Sequence, residues 1–196
     1  MSKLILASAS PRRKELLKNV GYEFEIEVCD LEENSDKTTP YELVMDLAKV
    51  KALAIMDKHE GEDVIVLGAD TVVANGDEIL GKPRDLAHAR EMISSLQGKA
   101  HQVYTGVCLC WNKEKFNQHI TFYEKTDVEV YPMSLEEIDT YVATKECVDK
   151  AGSYAIQGLF SPYIKGISGD YNNVVGLPVA RIYQEIKKLG LEITND

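Results

Sequence analysis

Lys3-Leu-Ile-Leu-Ala-Ser-Ala-Ser-Pro-Arg-Arg-Lys-Glu-Leu-Leu17 decides the architecture of this chain. Lys3 to Ala7 is an apolar run of strand length. Ser10 stands where a helix N-cap belongs, and Pro11 follows at the first helical position, where a missing N–H does no harm. Leu16, Leu17 and Val20 give the helix its apolar face, and Gly21 can end it. A strand, a tight turn and a helix in immediate succession open an α/β protein.

The pattern continues outward from there. Tyr22 to Val28 alternates apolar and acidic residues, which predicts a half-buried strand with one face in water. An acidic loop over 29–38 follows, and Thr39-Pro-Tyr-Glu42 reads as a capping box opening a helix to about Asp57. Val64-Ile-Val-Leu67 suits a strand buried on both faces, delivering Gly68-Ala-Asp-Thr71 at or near its end. Asn75-Gly76 is a turn, Asp85 caps a helix to Gln97-Gly98, and two β-rich segments, about 101–111 and 120–131, are expected to pair. Ser134-Leu-Glu-Glu137 is a second capping box. The stretch from Ala151 to Pro178 reads as loops and short strands, and a last helix runs from Pro178 to near Gly190. Together these elements predict one α/β domain over 1–196: a mixed, twisted sheet with flanking helices and a second lobe rich in β-hairpins.

Composition narrows the function. The formal net charge of −10 sets the chain against phosphate backbones and anionic lipid, so neither extended nucleic acid nor a membrane is an expected partner. No run approaches the roughly 20 apolar residues of a membrane span, and the start does not read as a signal peptide. Cys108 and Cys110 share one strand face, and with Cys29 and Cys147 they read as structural thiols of a reducing cytosol.

Against that acidity, residues 1–22 hold five bases and one acid, and residues 23–36 hold seven acids and no base. Ser8, Ser10, Arg12 and Arg13 at a helix start form a cradle for phosphate in which backbone dipole and side-chain charge act together. A solvated basic face paired with the acidic loop is the plainer alternative. Asp70 and Thr71 after a buried run stand where open α/β sheets place ligands, so Asp70 is a candidate general base or metal ligand as well as an ordinary turn aspartate. Gly76 to Pro83 keeps the P-loop spacing until Pro83 replaces the hydroxyl that would hold Mg²⁺, which rejects a Walker site and leaves Lys82 as a candidate phosphate contact. Lys51 falls one helical turn after Leu47, on or near the apolar face. Gly152-Ser-Tyr-Ala-Ile-Gln157 and Gly169 to Pro178 are loops with the amides and backbone freedom to meet a nucleobase or sugar, or simply to turn. The histidines have no metal-ligand spacing.

Leu6-Ala-Ser-Ala-Ser-Pro-Arg-Arg-Lys-Glu-Leu-Leu17, Glu32-Glu33, Leu47-Ala-Lys-Val-Lys-Ala52, Gly68-Ala-Asp-Thr-Val-Val73, Gly81-Lys-Pro83, Lys150 to Gly158 and Gly169 to Pro178 occur in the order found in the Maf family of nucleotide pyrophosphatases. The chain resembles that family along nearly its whole length, and the family is similar in fold to the inosine triphosphate pyrophosphatases. The resemblance implies a cytoplasmic homodimer that hydrolyses a nucleoside triphosphate to monophosphate and pyrophosphate with a divalent cation, Mg²⁺ or Mn²⁺. It places Ser8, Arg12, Arg13, Glu33, Lys51, Asp70 and Lys82 in the site, with Asp70 as catalytic base and Asp70 and Glu33 at the metal. Arg12, Thr71 and Gln157 match the trio of the branch acting on dTTP and UTP, as against 7-methyl-GTP. The rival reading is a nucleotide-binding regulator of cell division without significant turnover.

Overall fold

In a computed structural model that describes residues 1–29, 34–113 and 116–193, the chain forms two compact units. Unit 1 takes Met1–Asp70, Thr105–Glu124 and Gly176–Asp196, and unit 2 takes Thr71–Tyr104 and Lys125–Val175.

Unit 1 is built on β1 (Lys3–Leu6), which runs parallel to β2 (Glu25–Ile26) on one side and to the start of β3 (Val64–Asn75) on the other. Leu4, Ile5, Leu6 and Val64 to Leu67 are all buried, as parallel strands covered on both faces require. Helix α1 (Pro11–Asn19) buries Leu16 and Leu17. Helix α2 (Pro40–Met56) packs Ala48, Ala52, Ile55 and Met56 into one cluster with Ile5, Val64, Val66, Cys108 and Cys110. Small residues let that helix come very close to the sheet. A Cβ on Gly68 would lie 2.3 Å from the Ala48 carbonyl oxygen, and one on Gly106 would lie 2.3 Å from the Val44 carbonyl. The remaining strands here are the ends of β5 (Ala100–Lys113) and β6 (Phe116–Val130) that fall in this unit, with α6 (Val179–Leu189) burying Val179, Ile182 and Ile186.

Three expectations for unit 1 need correction. The alternating segment 22–28 is a strand only at Glu25–Ile26, and Ile26 and Val28 are exposed. Its partner β1 ends at Leu6, in register with Ile26, so the ladder has nothing further to pair with. Glu27 then turns inward, where its Oε1 lies 2.8 Å from His59 Nε2, while His59 Nδ1 lies 2.9 Å from Glu62 Oε2. These carboxylates, Glu62 foremost, raise the His59 pKa above its ordinary value despite the opposing effect of burial. Second, Thr39 is the N-cap of α2, but its hydroxyl donates to the Glu42 carboxylate and makes no bond to the helix backbone. Third, β3 does not end near Asp70 but continues to Asn75, because Val72, Val73 and Ala74 are also buried and the strand gains an antiparallel partner.

That partner belongs to unit 2: β4 (Glu78–Leu80) pairs with Val73–Asn75 across the Gly76 turn, where φ is +64°. Helix α3 (Leu86–Leu96) is capped by Asp85, whose Oδ1 accepts from His88 N at 2.7 Å. Helix α4 (Leu135–Ala143) has both bonds of its capping box, from Ser134 and Glu137. Strand β7 (Ile164–Ser168) is antiparallel to β6. A short helix, α5 (Tyr171–Val175), replaces the loop expected there, and Asn173 within it donates to the Val103 carbonyl and the Thr126 hydroxyl, each at 3.0 Å. The aromatic core is Tyr141, Tyr154 and Phe160, with His101 edge-on to Tyr154. The strand order is β2-β1-β3-β5-β6-β7 with β4 on β3, a mixed sheet flanked by helices. Among the described residues no helix is long and apolar enough to cross a membrane.

Candidate functional site

Strand register builds the candidate site of unit 1. Leu6 pairs with Leu67, and Ala7 N donates to the Leu67 carbonyl at 2.8 Å. There β1 stops and the chain turns into α1, while β3 runs on. Ser8 therefore lies just past the end of β1 and Asp70 within β3, beyond the Leu67 that pairs with Leu6, at the C-terminal end of the parallel β1–β3 pairing, where open α/β sheets put ligands.

At the end of β1, Ser8 is buried and its Oγ accepts from Arg13 Nη1 at 3.0 Å and from Ser10 N at 3.3 Å. Arg13 Nε donates to the Gly176 carbonyl at 2.8 Å. The guanidinium is thus fixed by two contacts and turned toward the loop, not left as a solvated arm. Ser10 occupies the N-cap with Pro11 behind it, but its hydroxyl makes no capping bond and the first turn holds no acid. Half-buried Arg12 completes a basic helix start with N–H groups that the Ser10 side chain does not satisfy.

Asp70 is nearly buried, and its Oδ1 lies 2.6 Å from Lys51 Nζ. With side chains only 12% and 19% exposed, this pair belongs to the partly desolvated class and not to the weak surface pairs. Its placement follows from the close approach of α2: Gly68 admits Ala48 and Ala52, and Lys51, on the same stretch of helix, meets the carboxylate two residues beyond that glycine.

In unit 2 the structure draws three candidate segments together through one turn. Gly152 lies against Val73, two residues after half-buried Thr71, where an added Cβ would meet Cγ2 at 2.8 Å. Gly152 N also donates to the carbonyl of Gly81, the residue before Lys82, at 3.0 Å. Gln157 follows in the same turn, and both Lys82 and Gln157 are exposed. Glu33 lies outside the described residues.

Sequence reasoning passed over Ser153 and His101. Ser153 is fully buried at φ +64°, a strained backbone for a residue with a Cβ, and its hydroxyl lies 3.0 Å from Met92 Sδ. His101 is also fully buried, its Nε2 2.7 Å from the Tyr154 hydroxyl, and burial with the nearby Lys99 charge pushes its pKa down to about 4. Lack of metal-ligand spacing set the histidines aside, and that criterion is blind to a neutral imidazole in a core. The Cys108 and Cys110 sulfurs lie 3.5 Å apart in the unit 1 core, where their mutual hydrogen bond and burial push the Cys108 thiol far up.

A family model described as Maf-like protein matches residues 3–189. The chain belongs to the Maf family. Among curated Maf relatives, a dTTP/UTP pyrophosphatase of Agathobacter rectalis is 50% identical over 98% of this chain and 100% of its own, and one of Bacillus cytotoxicus is 51% identical over 96% of each. Two solved structures match with a TM-score of 0.46: the Staphylococcus aureus Ham1 protein, 14% identical over 66% of this chain and 72% of its own, and a nucleoside-triphosphatase / dITP/XTP pyrophosphatase of Mycobacterium abscessus, 13% identical over 96% and 97%.

Proposed function

We propose that this Maf protein hydrolyses nucleoside triphosphates, dTTP and UTP before others, to the monophosphate and pyrophosphate, with water attacking the α-phosphorus. The observation that carries the reading is the partly desolvated Lys51–Asp70 pair, at the C-terminal end of the parallel β1–β3 pairing, which also bears Ser8 and the basic start of α1. The names of the half-identical relatives support the substrate pair.

On this reading Asp70 accepts the proton of the attacking water through the oxygen not held by Lys51. Lys51 fixes the carboxylate's orientation. Arg12, Arg13 and Lys82 neutralise charge that builds on the phosphate oxygens, which is where most of the catalysis of phosphoryl transfer arises. Arg13 does so from a rigid mount, so little side-chain entropy is lost when phosphate arrives. Ser8 keeps Arg13 in place and can donate its hydroxyl hydrogen to a phosphate oxygen.

The donor set suits a hard divalent cation. Asp70 offers carboxylate oxygen, and among the described residues no group of three His, Cys, Asp or Glu forms an all-protein cage. With Asp70 and Glu33 as the protein's share, Mg²⁺ or Mn²⁺ would be held by one or two carboxylates together with the substrate's phosphates. When bound, such an ion offsets substrate charge and acidifies its water.

Arg12, Thr71 and Gln157 are assigned to selection of the base. Thymine and uracil present two carbonyls and one ring N–H, an edge that a glutamine amide complements and that cytosine partly reverses. The protein is further proposed to act as one functional domain over 1–196, as a homodimer, in the cytoplasm.

The test is pyrophosphate release from dTTP, UTP, CTP, GTP and 7-methyl-GTP with Mg²⁺ or Mn²⁺, in ¹⁸O water. The label should enter the monophosphate. Label in pyrophosphate refutes attack at the α-phosphorus, and a preference for GTP or 7-methyl-GTP refutes the assignment to dTTP and UTP. Asp70→Asn should bind nucleotide and lose at least about 10²-fold in rate. If wild type binds nucleotide and releases no pyrophosphate, the protein is a binding regulator instead.

A further inference from the structure

The Gly152–Gln157 turn is held by more contacts than chain reversal needs. Gly152 sits against Val73 and donates to Gly81 O, Ser153 is kept in a left-handed conformation with its hydroxyl on Met92 Sδ, and Tyr154 reaches the buried His101. A non-glycine residue stays at positive φ only where its surroundings over-determine it, and such residues gather at functional sites. His101 is the contact least explained by packing. An apolar residue would fill the same space without burying a ring nitrogen, and Nδ1 has no hydrogen-bond partner among the described residues.

We propose that the His101–Tyr154 hydrogen bond is a positioning device that holds the turn bearing Gln157 in its nucleotide-binding conformation. The proposal rests on the reading of Gln157 as a base contact. His101 and Tyr154 are positioning residues and touch no substrate. Tyr154 is buried and stands three residues before exposed Gln157, so its ring anchors one end of the turn while the amide remains at the surface. Because Gly152 donates to the Gly81 carbonyl, the same anchor also restrains the backbone beside Lys82. The low basicity of His101 suits this use, since an imidazole that stays neutral across the physiological range keeps one fixed hydrogen-bonding pattern toward the phenol.

The decisive variant is Tyr154→Phe, which removes one oxygen and keeps the ring. It should fold, with amide exchange over residues 152–158 at least about 10-fold faster than in wild type. The KM for UTP should rise about 3- to 10-fold, the scale of one lost positioning hydrogen bond, while kcat holds within about 2-fold. The ratio of kcat/KM for UTP over CTP should fall with it. His101→Gln, which can still hydrogen-bond the phenol, should recover part of that ratio, whereas His101→Leu should not. The affinity of a non-hydrolysable α,β-imido analogue of dUTP is measured in parallel. A Tyr154→Phe protein with wild-type KM and selectivity overturns the proposal, however far its melting temperature falls. If wild type does not discriminate among bases, the Gln157 assignment fails, and the analogue then decides: unchanged affinity with faster exchange overturns the positioning role, and weakened affinity upholds it.

Discussion

Gly68→Ala tests how the Lys51–Asp70 pair is set. The new Cβ would lie 2.3 Å from the Ala48 carbonyl oxygen and 2.9 Å from both the Ala52 nitrogen and Cβ, and these are parts of a helix and not tips of flexible side chains. Restoring the first contact to an ordinary 3.4 Å requires α2 and β3 to part by about 1 Å. Lys51 rides on that helix, and its 2.6 Å bond to Asp70 would open beyond hydrogen-bonding range. Overpacking of this kind costs about 1–3 kcal/mol, only partly offset by the roughly 0.4–1 kcal/mol that alanine gains by restricting the unfolded chain. The expected outcome is a melting temperature lower by about 3–10 °C and a kcat/KM lower by about 10²-fold per folded molecule, the scale of a 1 Å misplacement. Gly166→Ala is the control, because nothing lies within 4 Å of its added Cβ. Calorimetry and pyrophosphate release on both variants are sufficient. Unchanged melting and unchanged kcat/KM in Gly68→Ala would refute the close approach, and a fall in melting alone would refute its link to the Lys51–Asp70 pair.

Other outcomes follow from groups on either unit. Because His101 has a pKa of about 4 in the fold against 6.5 in the open chain, the unfolded state binds its proton first. Stability from this residue is complete above about pH 6.5 and lost toward pH 4, by about 3 kcal/mol, and denaturant titrations should show a flatter pH dependence over that window in His101→Gln. His59 runs the other way: its raised pKa stabilises the fold at pH 6 and does so less as pH rises through the folded value, so His59→Gln should lower the melting temperature more at pH 6 than at pH 8.5. Arg13→Lys keeps a charge but cannot reach the Gly176 carbonyl and Ser8 hydroxyl in the same fork, and kcat/KM should fall at least about 10-fold at unchanged net charge.

Most features whose partners are close in sequence were legible, the Thr39–Glu42 box being the exception because its two side chains bond each other and not the helix backbone. Asp85 caps α3 and Ser134 with Glu137 closes a capping box, because each bond spans a single turn. Asn75-Gly76 turned as read. The alternation at 22–28 misled because a strand lasts only as long as its neighbour, and Glu27 was drawn to a histidine 32 residues away. Asp70 was singled out for following a buried run, yet its partner could not be read from spacing: Lys51 is 19 residues earlier, and only the approach of α2 over Gly68 makes them neighbours. Ser153 escaped notice because a serine beside a glycine reads as an ordinary turn, and the strain lies in φ and not in composition.

The bond from Arg13 to the Gly176 carbonyl spans 163 positions of chain, and Ser2 N reaches still further, to the Glu192 carbonyl at 2.7 Å. Residues synthesised early are therefore mated with residues synthesised long after them. While synthesis is under way, Arg13 has no Gly176 to hold it, and unit 1 lacks the helix that buries Val179, Ile182 and Ile186. A nascent chain displays its basic N-terminal segment without the mount that aims it. The mount that Arg13 shares with Ser8 and Gly176 is complete only once residue 176 has been made, so a chain stalled before that point should carry an Arg13 that nothing on the far side holds.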